Sequence, residues 1–290
     1  MRGESPVRRG EDPEGAGFIP AAGRGESPLR HAARQLGLPL SLLGALAVAI
    51  FGLPLIGLLV RAPWRSAWAD LTAPASVDAL RLSLVCSLSA TAIALLLGVP
   101  LAWVQARLEF PGKAFLRAVT TLPMVLPPVV GGVALLFAFG RRGLVGQFLF
   151  DSFGIRLPFT TAGVILAETF VAMPFLVITV EAGLRSMNIR FEEAARTLGA
   201  GRWTVFWRVT MPLVAPSLFA GAVLCWSRAL GEFGATITFA GNLPGTTQTL
   251  PLAVYLELET RPEAAIMLSL VLVAVSILVL LGLRDRWLAV

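Results

Sequence analysis

The chain has 290 residues, of which 56% are hydrophobic and only 14% charged, and its mean hydropathy is +0.77. Soluble domains carry about 45–50% apolar and about 25% charged residues, so this composition excludes an ordinary soluble domain and indicates a membrane protein. The net charge of +6 rests almost wholly on arginine, with Lys113 the sole lysine; in a membrane protein such basicity marks the loops of one side and gives no reason to expect nucleic acid.

Residues 1–34 are polar and rich in Gly, Pro, Arg and Glu, and RGESP occurs at both 2–6 and 24–28. Such a segment buries too little apolar surface to offset its ordering entropy, so a disordered tail is expected. Its charged part is too long for a secretory signal, and no small-x-small cleavage site follows the first apolar run. The single histidine, His31, lies in this tail. A histidine metal site or a His-dependent triad therefore has no material in the rest of the chain.

Six apolar segments follow, at roughly 38–60, 80–104, 118–139, 161–182, 213–238 and 264–283. Each reaches the length of about 20 residues that a bilayer requires. The expected fold is an all-α membrane protein with six transmembrane helices: a first helix at 35–60 and a transmembrane core at 61–290. Cys86 and Cys225 fall inside apolar runs and read as buried free thiols, with no disulfide framework. The third segment contains Pro123, Pro127, Pro128, Gly131 and Gly132, so a kink or break is expected near its start. With the N-terminus inside, that side holds more than twice as many Arg and Lys as the other, which places both termini in the cytoplasm. Trp64 and Trp68 on one side, and Trp103, Trp203, Trp207 and Trp287 on the other, suit interfacial belts.

Between spans four and five the sequence turns polar: EAARTLGAGRWTVFWRVTMP, 193–212. Asn188 suits a helix N-cap. Phe191, Ala194, Ala195 and Leu198 then share one helical face, and Gly199 suits a left-handed stop. A second short helix is expected with Trp203, Phe206 and Trp207 on one side, before Pro212 opens the next span. An amphipathic hairpin lying on lipid is one reading. However, Ala194, Ala195 and Gly199 are small and add little lipid affinity, whereas small residues let another protein approach closely. Glu193, beside that face, is an anion for a partner's groups. The residues favour protein docking.

The spacing Glu193-Ala194-Ala195, Gly199, Val209, Met211-Pro212 resembles the cytoplasmic loop of ABC importer permeases, with Val and Met where Ile and Leu are usual. The resemblance implies that this loop is the coupling helix seated on an ATP-binding subunit, through Phe191, Glu192, Glu193, Ala194, Ala195, Leu198, Gly199, Arg202 and Trp203. The chain lacks a G-x-x-x-x-G-K-[ST] sequence: its only Gly-Lys pair, Gly112-Lys113, has Arg107 where the first glycine is needed. Without that phosphate cradle, ATP and Mg are expected on the partner, with no cofactor in this chain and no enzymatic activity of its own.

In RALGEFGATITFAGN, 228–242, Arg228 and Glu232 lie four apart and can pair on a helix. Ionisable groups in a membrane face a pathway or each other, so the pair reads either as a packing lock or as a substrate contact. Gly231 and Gly234 permit close helix approach, and Thr236 and Thr238 add hydroxyl donors. This run, together with LPMVLPPVVGG (122–132), GRRGLVG (140–146) and EAARTLGAGRW (193–203), resembles the molybdate branch of oxyanion permeases over about residues 78–260; sulfate and tungstate permeases share the ALGE core. The resemblance implies a homodimer in the bacterial inner membrane, two ATPase subunits and a periplasmic molybdate-binding protein. It also implies a route lined by spans three and five. Candidate pathway residues are Pro127, Pro128, Arg228, Glu232, Gly234, Thr236 and Thr238. Arg141 and Arg142 read as anion-attracting, as contacts for the binding protein, or as ordinary loop charges.

Two rivals are weaker. An ion-coupled secondary transporter often shows two matching halves with broken helices, whereas here a single span carries the proline break and no internal repeat is evident. A membrane enzyme needs a catalytic pair, yet Glu168, Glu181 and Glu232 are scattered over two spans.

Overall fold

The computed structural model describes the backbone from 28 to 287 and side chains from 40 to 281. Helix α1 (Pro28–Arg61) begins seven residues before the expected boundary at 35. Pro28 suits such a start, because a proline in the first turn forfeits no helical hydrogen bond. Residues 28–34, expected in the tail, are helical, and residues 1–27 lie outside the described residues.

By its contacts the chain divides into two units, Met1–Ile56 and Gly57–Val290. The described side chains of the first unit are exposed or half-exposed, including Ile50 and Phe51. The second unit continues with α2 (Ala67–Thr72), α3 (Pro74–Arg107), α4 (Lys113–Val125), α5 (Pro128–Phe139), α6 (Gly146–Phe153) and α7 (Thr161–Ser186). The loop helices α8 (Arg190–Thr197) and α9 (Arg202–Val205) follow, then a π-helical turn (Phe206–Thr210), α10 (Met211–Leu230), α11 (Gly234–Ala240), α12 (Leu250–Thr260) and α13 (Pro262–Trp287). Among the described residues all regular structure is helical.

Five helical stretches are long and apolar enough to cross a membrane: Leu40–Arg61, Pro74–Arg107, Thr161–Ser186, Arg202–Leu230 and Pro262–Leu281. The expected third span is not one continuous helix. It is split into α4, of 13 residues, and α5, of 12. Leu126 (φ −63°, ψ 136°) and Pro127 (φ −53°, ψ 131°) are extended between them. Pro127 and Pro128 carry no N–H to continue the ladder, and a residue before proline is pushed out of the α region. The expected fifth span is also interrupted. α10 stops at Leu230, and residues 231–233 separate it from α11.

In the second unit α7 packs between α3 and α10. Its Ala172, Leu176, Val177, Val180 and Leu184 form one core with Ala90, Ala94 and Ala102 of α3 and Val214, Cys225 and Ala229 of α10. Small residues set the spacing, as expected where helices pack without a hydrophobic drive from water. A Cβ on Gly98 would lie 2.9 Å from Leu176, and one on Gly221 would lie 3.2 Å from Thr179. Polar ties fix the register: Trp226 Nε1 donates to Ser87 Oγ at 3.0 Å, and the Leu250 N–H donates to Ser83 Oγ at 2.6 Å.

Candidate functional site

The loop joining α7 to α10 is built from local rules. Asn188 Oδ1 accepts the Arg190 N–H at 3.0 Å, covering a donor that the start of α8 leaves free. At its end the Gly199 N–H reaches Arg196 O at 2.9 Å and the Ala200 N–H reaches Ala195 O at 3.0 Å. That is the Schellman pattern, and Gly199 holds the left-handed position at φ +84°.

Phe191, Glu193, Ala194, Leu198 and Gly199 of this hairpin face outward, as do Arg202 and Trp203, while Ala195 is half-buried. Leu198 is 88% exposed and Trp203 73%, high values for large apolar side chains. Trp203, Phe206 and Trp207 stack edge to face, with centroids 6.2 and 5.1 Å apart.

Two expectations are corrected here. Glu192 does not belong to the outward face: it is buried, accepting from Arg107 Nη2 at 3.1 Å and from the Thr210 hydroxyl at 2.8 Å. It pins α8 to the end of α3 and to the π-helical turn. Nor is the second short helix separate. α9 runs through the π-helical turn into α10, with Pro212 inside that continuous element.

A second charged assembly lies at the same ends of α3, α4 and α7. Arg117 pairs with Glu181, Arg185 Nε donates to Glu181 Oε1 at 2.8 Å, and Arg185 Nη2 donates to Gln105 O at 3.1 Å. Gln105 Nε2 donates to Thr120 Oγ1 at 2.8 Å. In the adjacent turn, Lys113 Nζ lies 2.6 Å from Glu109 and holds that exposed carboxylate below its usual pKa, first by hydrogen bonding and then by charge. Glu109–Lys113 and Glu181–Arg185 are four residues apart, whereas Arg117, Gln105 and Thr120 join the assembly from 15 to 80 positions away, which sequence spacing does not show.

The two broken helices meet. A Cβ on Gly234 would lie 2.7 Å from the Pro128 Cβ, and one on Gly132 would lie 2.6 Å from the Thr238 Cβ and 2.9 Å from Ala235 O. The break before α5 is thus packed on α11, which brings Pro128, Gly234 and Thr238 together. Arg228 Nη1 lies 2.6 Å from Glu232 Oε2. The pair forms as its spacing suggests, but across a helix end and not along one helix. Glu232 Oε1 accepts the Ala235 N–H at 2.9 Å and so caps α11. Pro127 is exposed and Thr236 fully buried, with its hydroxyl unpartnered among the described groups. Thr238 Oγ1 turns back to Gly234 O at 2.8 Å.

Residues 94–289 match the family described as binding-protein-dependent transport system inner membrane component. The chain belongs to that family. It is 49% identical over 245 residues to the molybdenum transport system permease protein ModB of Mycobacterium tuberculosis, covering 84% of this chain and 92% of that one. It is 43% identical over 212 residues to ModB of Escherichia coli, covering 73% and 93%. The sulfate transport system permease protein CysT of Escherichia coli is 36% identical over 228 residues, covering 78% and 82%. Among solved structures, a bacterial ABC transporter that imports the polysaccharide alginate aligns with a TM-score of 0.68 at 20% identity, over 89% of this chain and 98% of that one. The fold is accordingly that of an ABC transporter permease, and the chain is a multi-pass transport subunit of the inner membrane.

Proposed function

We propose that this permease admits molybdate through an ATP-driven importer, as a homodimer with two ATP-binding subunits and a periplasmic binding protein that delivers the anion. One observation carries the substrate: identity to the molybdenum permeases is 43–49%, against 36% for the sulfate permease, over comparable lengths. A bacterial alginate transporter similar in fold is known in complex with its substrate-bound periplasmic protein, which supports the same kind of partner here.

The geometry supplies a mechanism. The outward face of Phe191, Glu193, Ala194, Leu198, Gly199, Arg202 and Trp203 seats on the ATP-binding subunit, which holds ATP and Mg and performs the hydrolysis. Glu192 keeps the hairpin rigid from behind, so that a push on α8 reaches α3 and α10 through Arg107 and Thr210. Nucleotide biases a two-state element of this kind by binding one state better than the other. Both termini face the cytoplasm with this loop. The paired breaks at Pro127, Pro128 and Gly234, with Arg228, Glu232, Thr236 and Thr238 beside them, border the route. The partly exposed Arg228 guanidinium there meets a divalent oxyanion only in passing, because tight binding would retard release.

The test is uptake of labelled molybdate in cells with and without this gene, with excess sulfate present. Loss of uptake in the deletion, with sulfate unable to compete in the parent, is the expected result. Unchanged uptake in a strain with no second molybdate system moves the substrate to sulfate or tungstate.

A further inference from the structure

A cavity of about 990 Å³ opens between α3, the loop hairpin and α10. Its walls are unlike at the two ends. Along α3 they are apolar, with Leu95, Leu96, Val99 and Pro100, faced by Leu218 of α10. Toward the loop they carry Arg196 and Arg202 beside Trp203 and Trp207. The sole carboxylate in the wall is Glu192, already held by Arg107 and Thr210. Among the described residues Arg202 is therefore left without an ion pair, and Arg196 has only the 4.0 Å contact with Glu192.

We infer that this groove is a site for an anionic phospholipid of the leaflet on the loop side, with Arg196 and Arg202 on the phosphate and the acyl chains along α3. Length and charge both select this occupant. The wall from Leu95 to Leu108 on α3 extends about 20 Å at 1.5 Å per residue. One leaflet of hydrocarbon is about 15 Å deep, so the groove accommodates one acyl layer plus a headgroup and is short for a spanning helix of a partner. Leu96 is 73% exposed on a helix apolar enough to span. Trp203 and Trp207, 73% and 62% exposed, sit at the cationic end, as indoles do at a headgroup boundary. Two local irregularities shape the groove. Pro100, inside α3, lacks the N–H that would pair the Leu96 carbonyl. The π-helical turn at Phe206–Thr210 widens the facing helix where it meets the loop. Arg202 and Trp203 are shared with the face proposed to dock the ATP-binding subunit, so a lipid bound here ties that docking to membrane charge. This goes beyond the transport reading and holds for any substrate.

The test reconstitutes the full chain in phosphatidylcholine nanodiscs and titrates phosphatidylglycerol brominated on its acyl chains, with quenching of tryptophan emission as readout. Trp103, Trp203 and Trp207 line the groove. Quenching is expected to saturate at a far lower mole fraction of brominated phosphatidylglycerol than of brominated phosphatidylcholine. A basic residue near a membrane surface contributes about fivefold to anionic-lipid binding, so R196Q combined with R202Q should move the first curve onto the second. Arg208→Gln, exposed and outside the groove, should leave it in place. Superimposed curves for the two lipids on the unaltered chain overturn the proposal. So does displacement of phosphatidylglycerol by inorganic phosphate, which would make this a free-anion site. Both comparisons use the unaltered chain, so they decide the matter even where the double variant fails to insert.

Discussion

Arg107 Nη2 lies 3.1 Å from Glu192 Oε1, joining the last residue of α3 to the first turn of α8 across 85 positions of sequence. Both side chains are largely buried, at 14% and 7% exposed, so the pair is more than a surface contact. Removing one partner of a buried, hydrogen-bonded pair leaves an uncompensated charge and costs about 3–5 kcal/mol. Arg107→Ala should therefore destabilise the protein strongly, whereas Glu193→Ala, next to Glu192 but exposed, should cost less than about 0.5 kcal/mol. Thermal unfolding in detergent checks this. Equal midpoints for the two variants would contradict the anchoring role.

The loop's end makes a second prediction. Gly199 sits at φ +84° with no heavy atom near a built Cβ, so the constraint is backbone conformation and not space. A left-handed residue other than glycine costs roughly 1–2 kcal/mol, and Gly199→Ala should show a loss of that size. Gly199→Arg should go further, placing a long cation on the outward face, abolishing transport and releasing the ATP-binding subunit while the chain stays in the membrane. Normal co-purification of that subunit would refute the docking assignment.

The packing of the two breaks distinguishes neighbouring glycines. A Cβ at Gly234 meets Pro128 at 2.7 Å, while one at Gly231 has only Ser227 O, at 3.6 Å. Overpacking costs about 1–3 kcal/mol. Gly234→Ala should lower stability by that amount and impair uptake, and Gly231→Ala should be close to neutral in stability. Reversal of that order would mean that α5 and α11 are not in contact in the working protein.

The ion pair predicts an incomplete rescue. Exchanging the charges, Arg228→Glu with Glu232→Arg, re-forms the pair, but arginine at 232 cannot accept the Ala235 N–H that Glu232 now accepts at 2.9 Å. Folding lost in either single change should return only in part, short by about 1 kcal/mol, the scale of a lost cap. Membrane yield and unfolding midpoints measure it. Full restoration of folding without transport would shift Arg228 and Glu232 from packing to the anion route.

Much of the architecture was legible before any coordinates. Long apolar runs show as helices because lipid leaves the backbone no other partner, and the break at Pro127-Pro128 follows from two missing N–H donors. The outward hairpin and its glycine stop were readable because capping depends on residues within one or two turns. Glu192 was not. Periodicity places it beside Glu193, and only the folded positions of Arg107 and Thr210 turn it inward. The interruption after Leu230 was missed for a similar reason. RALGEFGATITF has the composition of a continuous span, and Gly231 alone is a weak stop signal in a membrane helix.

By itself, then, the sequence determined what local chemistry controls: which segments are apolar enough to span, where proline breaks one of them, where the polar hairpin and its glycine stop lie, and which family the chain resembles. Tertiary structure decided what depends on distant partners. It sets Gly234 against Pro128, buries Glu192 between two other elements, and opens the groove between α3 and α10. The division is physical. Helix formation and capping are satisfied within a few residues of backbone, whereas a buried charge or a close glycine contact acquires its role from atoms 85 to more than 100 positions away.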